Sequence, residues 1–376
     1  IVPPFDAEIA AAIEAAPPAD EVPMNDDLIE AVDPREEYVA CACALASGEA
    51  SAREDLRIVL TAMHGVGAAI TSRVLAEAGF TNVSLVAAQA DPDPNFPTVP
   101  FPNPEEAGAL DMAIEQAREQ GADLIIAVDP DADRCALAVP DPASETGWSP
   151  LSGDQIGSLL GEFLAARGIT GSLANSIVSS RLLSRIARAH GLEHHTTLTG
   201  FKWIARAPGL GFGYEEAIGF CPDPAHVRDK DGIATSVVAA SLVAALKAQG
   251  RSVWDELERL ARLHGLHVSS PLTFRVEEIE QIASGMARLR AQPPSVLAGS
   301  PVVEVSDLSQ GYRGLPPTDG VLVLTEAGDR VIARPSGTEP KLKCYLEVIL
   351  PVAEGEPLPW GRLDAIKGAF AEIIGL

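Results

Sequence analysis

A five-residue apolar run, Leu124-Ile-Ile-Ala-Val128, passes without a break into Asp129-Pro130-Asp131-Ala132-Asp133-Arg134. The apolar run is short, unbroken and rich in β-branched residues. It reads as a strand buried on both faces, which places it in the interior of a sheet covered by helices on each side. The acidic loop then falls at the strand's C-terminal end, the edge where open α/β sheets hold their ligands. Three carboxylates at alternate positions repel one another unless something cationic neutralises them. A hard divalent ion such as magnesium takes oxygen donors and leaves places for water or phosphate, and the fork of Arg134 suits a phosphoryl oxygen. A solvated acidic turn is the plainer alternative. A calcium EF-hand is excluded, because its sixth and twelfth positions hold Arg134 and Pro140 and the flank is a strand.

The rest of the chain fits layers of helix and sheet. Of 376 residues 47% are hydrophobic and only 5% aromatic, as expected for sheets packed with small aliphatic side chains. The formal charge of −25 argues against a nucleic-acid or anionic-membrane surface. Five cysteines without a C-x-x-C pair point to free thiols in a reducing, cytoplasmic compartment, with neither a disulfide framework nor a zinc site. The stretch Ile233 to Ala248 is too short and too often interrupted by hydroxyls to span a membrane.

In chain order, residues 1–39 hold a short helix with Asp6 as its cap and Ile9 and Ile13 on one face, followed by an acidic, proline-rich linker. Residues 40–147 are expected to form an α/β unit, with strands at Arg57 to Thr61 and Val83 to Ala88 and a helix from Pro104 to Gln120. The Gly65-Val-Gly67 turn between the first strand and its helix invites a dinucleotide reading. The third glycine of that fingerprint is replaced by Ile70, so a helix-start turn is preferred. His64 is read as a hydrogen-bonded loop residue. Residues 148–266 give a second α/β unit: a helix capped by Ser152 or Asp154, a strand at Ser176 to Ser179, and His194 and His195 in a surface loop. Two further loops stand out. Thr199-Gly200-Phe201-Lys202-Trp203 sets a lysine and aromatics beside a glycine, and Glu215-Glu216 offers carboxylates that can accept from sugar hydroxyls. Asp229-Lys-Asp-Gly232 is expected to cap a helix at the border of the same cleft. Residues 267–376 change to short strands split by Pro and Gly, an α+β unit. Its loop Arg334-Pro-Ser336-Gly337-Thr338-Glu-Pro-Lys341 makes a phosphate cradle without a P-loop. The fold class is therefore two consecutive doubly wound α/β domains followed by a smaller α+β C-terminal domain.

Taken in order, DPDADR, TGFKW, GYEEAIGF and RPSGTEPK resemble the loops of the α-D-phosphohexomutase superfamily, the phosphoglucomutases and phosphomannomutases. The wording is most similar to that of the branch holding phosphopentomutases. The resemblance extends over essentially the whole chain. It implies Asp129, Asp131 and Asp133 as magnesium ligands, Arg134 and Lys202 as catalytic cations, and Thr199, Gly200, Lys202, Glu215 and Glu216 facing the sugar. Arg334, Ser336, Gly337, Thr338 and Lys341 would hold the phosphate that is not transferred. Ala217 stands where the family's sugar loop has a serine. It further implies a sugar 1,6-bisphosphate or pentose bisphosphate as activator and a phosphosugar as substrate, in a mutase that works through a phosphoserine. The family's serine loop, of the type T-A-S-H-N-P, has no counterpart among these residues. The expectation is thus domains two to four of such an enzyme, with weak magnesium affinity and no turnover by this chain alone. The alternative is a non-catalytic phosphosugar-binding or regulatory protein.

Overall fold

A computed structural model describes residues 1–336, 340–352 and 361–375. The first sheet contains β1 (Arg57–Thr61), β2 (Asn82–Leu85), β3 (Leu124–Val128), β4 (Cys135–Pro140) and β5 (Trp148–Pro150), in the order β2-β1-β3-β4-β5. Its first three strands are parallel and the last two antiparallel. Every residue of β3 is buried, which is why that segment has no polar alternation. The second sheet, β6 (Ser172–Ser176), β7 (Glu193–Thr197), β8 (Leu210–Glu215) and β9 (Gly219–Cys221), runs β7-β6-β8-β9 with only β9 antiparallel. The two sheets meet at β4 and β9, where Cys135 N–H donates to Ile218 O at 3.1 Å and Arg134 bridges Gly219.

The helix Gly232–Ala248 packs against β3, β4 and β9 together. It is buried on nearly every side, so its apolar all-round composition reflects a position between two sheets. No single helix among the described residues is long and apolar enough to cross a membrane. The five cysteines are free.

The third sheet is antiparallel: β10 (Leu266–Arg275), β11 (Val296–Leu297), β12 (Ser300–Asp307), β13 (Val321–Thr325), β14 (Arg330–Pro335) and β15 (Lys341–Leu350), in the order β10-β15-β14-β13-β12-β11. Period-two alternation sends Val321, Val323, Val331 and Ala333 into a core with the helices Ile279–Ala291 and Arg362–Ile374. Leu322 and Ile332, from the opposite face, pack on Ile177 and Val178 of the second unit. Beside that contact lies a buried ionic hub. Glu347 accepts from Ser180 Oγ at 2.8 Å, Arg181 N at 2.7 Å, Arg181 Nε at 2.6 Å and His267 Nδ1 at 3.0 Å, and pairs with Arg330 at 3.2 Å. Arg330 donates to the carbonyls of Ile177 and Ser179 at 2.8 and 2.6 Å. Burial would raise the Glu347 pKa, but Arg330, His267 and Arg181 hold it well below the usual range.

Several local expectations shift. The strand placed at Ser176 to Ser179 is Ser172–Ser176. Its former span is a turn in which Ser179 N donates to Ser176 O at 3.1 Å, serine hydroxyls favouring turn geometry over the ladder. His194 and His195 lie on β7, half-buried, and not in a surface loop. His194 Nε2 is 3.0 Å from Asn175 Oδ1, and burial pushes its pKa down to about 4. The helix expected from Pro104 starts at Asp111, because residues 104–110 close as successive turns. Ser152 caps its helix through a reciprocal box with Gln155, and Asp154 turns inward instead. Asp6 sits one residue inside the helix Phe5–Ala15 and does not cap it. That helix has no buried residue, with Phe5, Ile9 and Ile13 exposed.

Candidate active site

The acidic loop turns sharply after β3, with Ala132 at φ 60° and its N–H on Asp129 O at 2.9 Å. One ligand oxygen from each of Asp129, Asp131 and Asp133 lies within 4.8 Å of the others, and burial falls from Asp129 through Asp133 to exposed Asp131. Arg134 donates through N and Nε to the two oxygens of Asp129, at 2.9 and 2.6 Å. Lys230 Nζ reaches Asp133 at 3.1 Å. Asp129 is pushed up to about 6, chiefly by burial and against the pull of Arg134. Three oxygen donors, one of them strongly desolvated, suit a hard divalent ion, which would supply the neutralising charge.

The glycine turn Gly65-Val-Gly67 supports this loop. A Cβ on Gly65 would fall 2.4 Å from Pro130 Cα, and Val66 N–H donates to Pro130 O at 2.8 Å. Close backbone approach, and not a nucleotide phosphate, explains the glycine there. His64 is a hydrogen-bonded loop residue, its Nε2 2.8 Å from Thr98 Oγ1. From the other side Gly232 N–H donates to Ala132 O at 3.1 Å, and Asp231 caps the helix Gly232–Ala248 while accepting from Tyr38 Oη at 2.7 Å.

Glu215 ends β8. Burial and the neighbouring Glu216 push it up to about 7, opposed by Lys230. Glu216 Oε2 accepts from Ser176 and Ser179, each at 2.9 Å, so its carboxylate is fixed by the turn that also touches Arg330. Thr199 Oγ1 accepts from Arg334 Nη1, joining the second unit to the third, and Gly200 takes φ 104° ahead of the short helix Phe201–Ile204. Lys202 is not drawn into this network. It is exposed, 5.9 Å from the ring centre of Trp203, and Lys230 instead covers Phe201 at 5.4 Å. Ser336 N–H donates to Lys341 O at 2.8 Å. Gly337 and Thr338 lie outside the described residues.

A groove of about 380 Å³ brings together the carboxylates of Glu105, Glu106, Asp154 and Glu216 with the cations Arg275, Lys341 and Lys343 and with Tyr345. Arg275 and Lys343 were not among the expected site residues, and Lys230 was expected only as part of a loop bordering the cleft. A signal for Lys343 was present in β15, where Lys341, Lys343 and Tyr345 alternate on one face. In the observed register Arg275 faces Lys341 and Arg334 faces Lys343. Two like-charged cross-strand pairs are unfavourable by themselves and need neutralising groups nearby.

Models of three domains of one family match this arrangement: phosphoglucomutase/phosphomannomutase alpha/beta/alpha domain II over residues 36–143, alpha/beta/alpha domain III over 152–263, and the C-terminal domain over 274–356. The chain belongs to the phosphoglucomutase/phosphomannomutase family. A Haemophilus influenzae protein named "Probable phosphomannomutase" is 44% identical over 355 residues, covering 92% of this chain and 71% of its own length. A Staphylococcus aureus phosphoglucomutase is 34% identical over 325 residues, covering 80% of this chain and 58% of its own length. Among solved structures, a Paramecium parafusin (phosphoglucomutase) in its open form shares the fold with a TM-score of 0.69 at 19% identity, over 92% of this chain and 63% of that one. A Burkholderia thailandensis phosphoglucomutase/phosphomannomutase family protein does so with a TM-score of 0.67 at 19% identity, over 92% and 65%. In this family member the acidic loop, the Glu215-Glu216 turn and the cationic end of the third sheet thus come from three successive matched domains.

Proposed function

We propose that this chain carries the metal, sugar and phosphate loops of a phosphosugar mutase, which moves a phosphoryl group between the 1-position and the terminal hydroxyl of a hexose or pentose. The observation that carries this reading is the groove lined both by the Glu216 carboxylate, fixed by two serines, and by Arg275, Lys341 and Lys343. The cations suit a phosphate and the carboxylate suits sugar hydroxyls, so the groove offers groups for both parts of a sugar monophosphate. Magnesium bound by Asp129, Asp131 and Asp133 would neutralise charge on the transferring phosphoryl group. Arg134, already turned toward Asp129, would orient that group, and Arg334 would hold the opposite phosphate. A bisphosphate that reverses between these positions fits the activator expected of such enzymes. The donor would be a phosphoserine, which the loops in these 376 residues do not supply.

Calorimetry on the 376-residue polypeptide should show micromolar binding of glucose 1,6-bisphosphate. Arg334→Ala should weaken it about 10–100-fold, the worth of a charge-assisted contact. Absence of binding refutes the phosphosugar reading. Separately, the polypeptide should not convert glucose 1-phosphate to glucose 6-phosphate by itself, and turnover would refute the external donor while leaving the binding reading intact. Magnesium should titrate weakly, on the order of millimolar, because three carboxylates leave a hard ion short of protein donors. A submicromolar titration would show a further ligand.

A further inference from the structure

Ala132, in the middle of the acidic loop, holds the left-handed backbone at φ 60°. A residue with a Cβ is disfavoured there and stays only where its neighbours over-determine the chain. The turn at Ala132 carries the backbone from Asp131 to Asp133, and one oxygen of each lies within 4.8 Å of the other and of Asp129.

Two glycines from different elements close on that turn. Gly67 precedes the helix Ala68–Glu77 with φ −77° and ψ −18°, yet a Cβ on it would lie 2.7 Å from Ala132 Cβ and 3.1 Å from Val128 Cγ2. Gly232 opens the helix Gly232–Ala248, and a Cβ on it would lie 2.4 Å from Arg134 O and 2.7 Å from Ala132 O, the carbonyl to which its own N–H donates at 3.1 Å. Neither glycine has a positive φ, so conformational freedom does not account for them. What both supply is room, one beside the Ala132 side chain and the other beside its carbonyl. Each is anchored in turn. Thr71 N–H and Oγ1 donate to Gly67 O at 2.9 and 2.7 Å, and Ser236 Oγ donates to Gly232 O at 2.7 Å. The preceding Asp231 donates its N–H to Phe220 O at 2.9 Å and accepts from Ala234 N and Tyr38 Oη at 2.8 and 2.7 Å. The loop thus lies against two fixed backbones.

We infer that Gly67 and Gly232 are positioning residues for a divalent cation: their close approach holds Ala132 in its turn and so keeps the carboxylates of Asp129, Asp131 and Asp133 convergent. The inference rests on the metal reading of the acidic loop, and neither glycine touches the ion. A methyl added at either position has to be accommodated by a loop shift of about 1 Å. A hard ion with three carboxylate donors loses one of them when the loop moves.

Manganese, which shares the preference for oxygen donors, is the probe. Its affinity is read from the free-ion EPR signal in the presence of the 376-residue chain, and its coordinated water from proton relaxation. Gly67→Ala should weaken manganese about tenfold, the effect of disturbing a supporting shell, and leave the bound ion with more water. Adding Ala132→Gly removes the methyl that Gly67→Ala strikes, so the double variant should regain most of the affinity. Gly232→Ala should weaken manganese similarly, and Ala132→Gly should not rescue it, because the atoms struck are carbonyl oxygens. Gly161→Ala is the control. Its Cβ would lie 2.4 Å from Leu183 Cδ1, so it strains the second unit's core away from the loop and should leave manganese binding unchanged. Unchanged affinity in Gly67→Ala or Gly232→Ala, no rescue of Gly67→Ala by Ala132→Gly, or an equal loss in Gly161→Ala would each overturn the inference and leave the metal reading standing. No manganese binding by the unaltered chain would overturn both. Should Gly232→Ala fail to fold, Gly67→Ala and its rescue decide the matter; should Gly67→Ala fail, Gly232→Ala against Gly161→Ala does.

Discussion

Glu347→Leu should destabilise the junction between the second and third units by about 3–5 kcal/mol, the loss typical when one partner of a buried ion pair is removed. Arg330 is buried, and Glu347 is the carboxylate it pairs with, so the substitution strands a cation among Ile177, Val178 and Ile332. Urea unfolding should split, the third unit melting ahead of the other two. A midpoint shift worth less than about 1 kcal/mol would show that the hub is dispensable. Adding Arg330→Met should recover only part of the loss, because the carbonyls of Ile177 and Ser179 then lose their donor. The pH dependence has a defined sign. The Glu347 pKa is depressed in the folded chain, so its contribution is fully present above the ordinary glutamate value of about 4.3 and fades as pH falls toward the folded value. Loss of the third unit's cooperativity below about pH 4, absent in Glu347→Leu, is the corresponding measurement.

How much of this was legible in the sequence depends on the range of the interaction. β3 and its acidic loop could be read directly, because a fully buried strand leaves an unbroken apolar run and a metal-type loop concentrates its ligands within six residues. The groove was only half legible: Lys341 stood in a recognisable loop, but Arg275 becomes its neighbour only through the pairing of β10 with β15, strands far apart in sequence. The hub was not legible at all. Glu347 sits on a strand that alternates like any other, and Arg181 and Arg330 come from two different units. Lys202, beside a glycine turn, has its side chain exposed over Trp203, whereas Lys230, in a loop expected to cap a helix at the border of the cleft, reaches Asp133.

The same contrast between local and distant determinants separates two Gly→Ala substitutions of opposite sign. Gly153 opens a helix with an ordinary backbone, so alanine there is conformationally acceptable, yet its Cβ would lie 2.0 Å from Glu216 O and 2.7 Å from Glu216 C. Both are backbone atoms, and Glu216 is already tied to Ser176 and Ser179, so either the helix start or the Glu215-Glu216 turn has to shift by more than 1 Å to restore van der Waals separation. Gly153→Ala should cost about 1–3 kcal/mol from overpacking. Because a displacement of about 1 Å in a positioning group is worth up to about 100-fold, affinity for glucose 1,6-bisphosphate should fall at least tenfold. Gly368, inside the helix Arg362–Ile374, has nothing within 4 Å of its would-be Cβ, and Gly368→Ala should stabilise the chain by about 0.5–1 kcal/mol with binding unchanged. Thermal melts and calorimetry on the two variants give the comparison. If Gly153→Ala melted and bound like the unaltered chain, the contact between that helix and the Glu215-Glu216 turn would not be what fixes the turn.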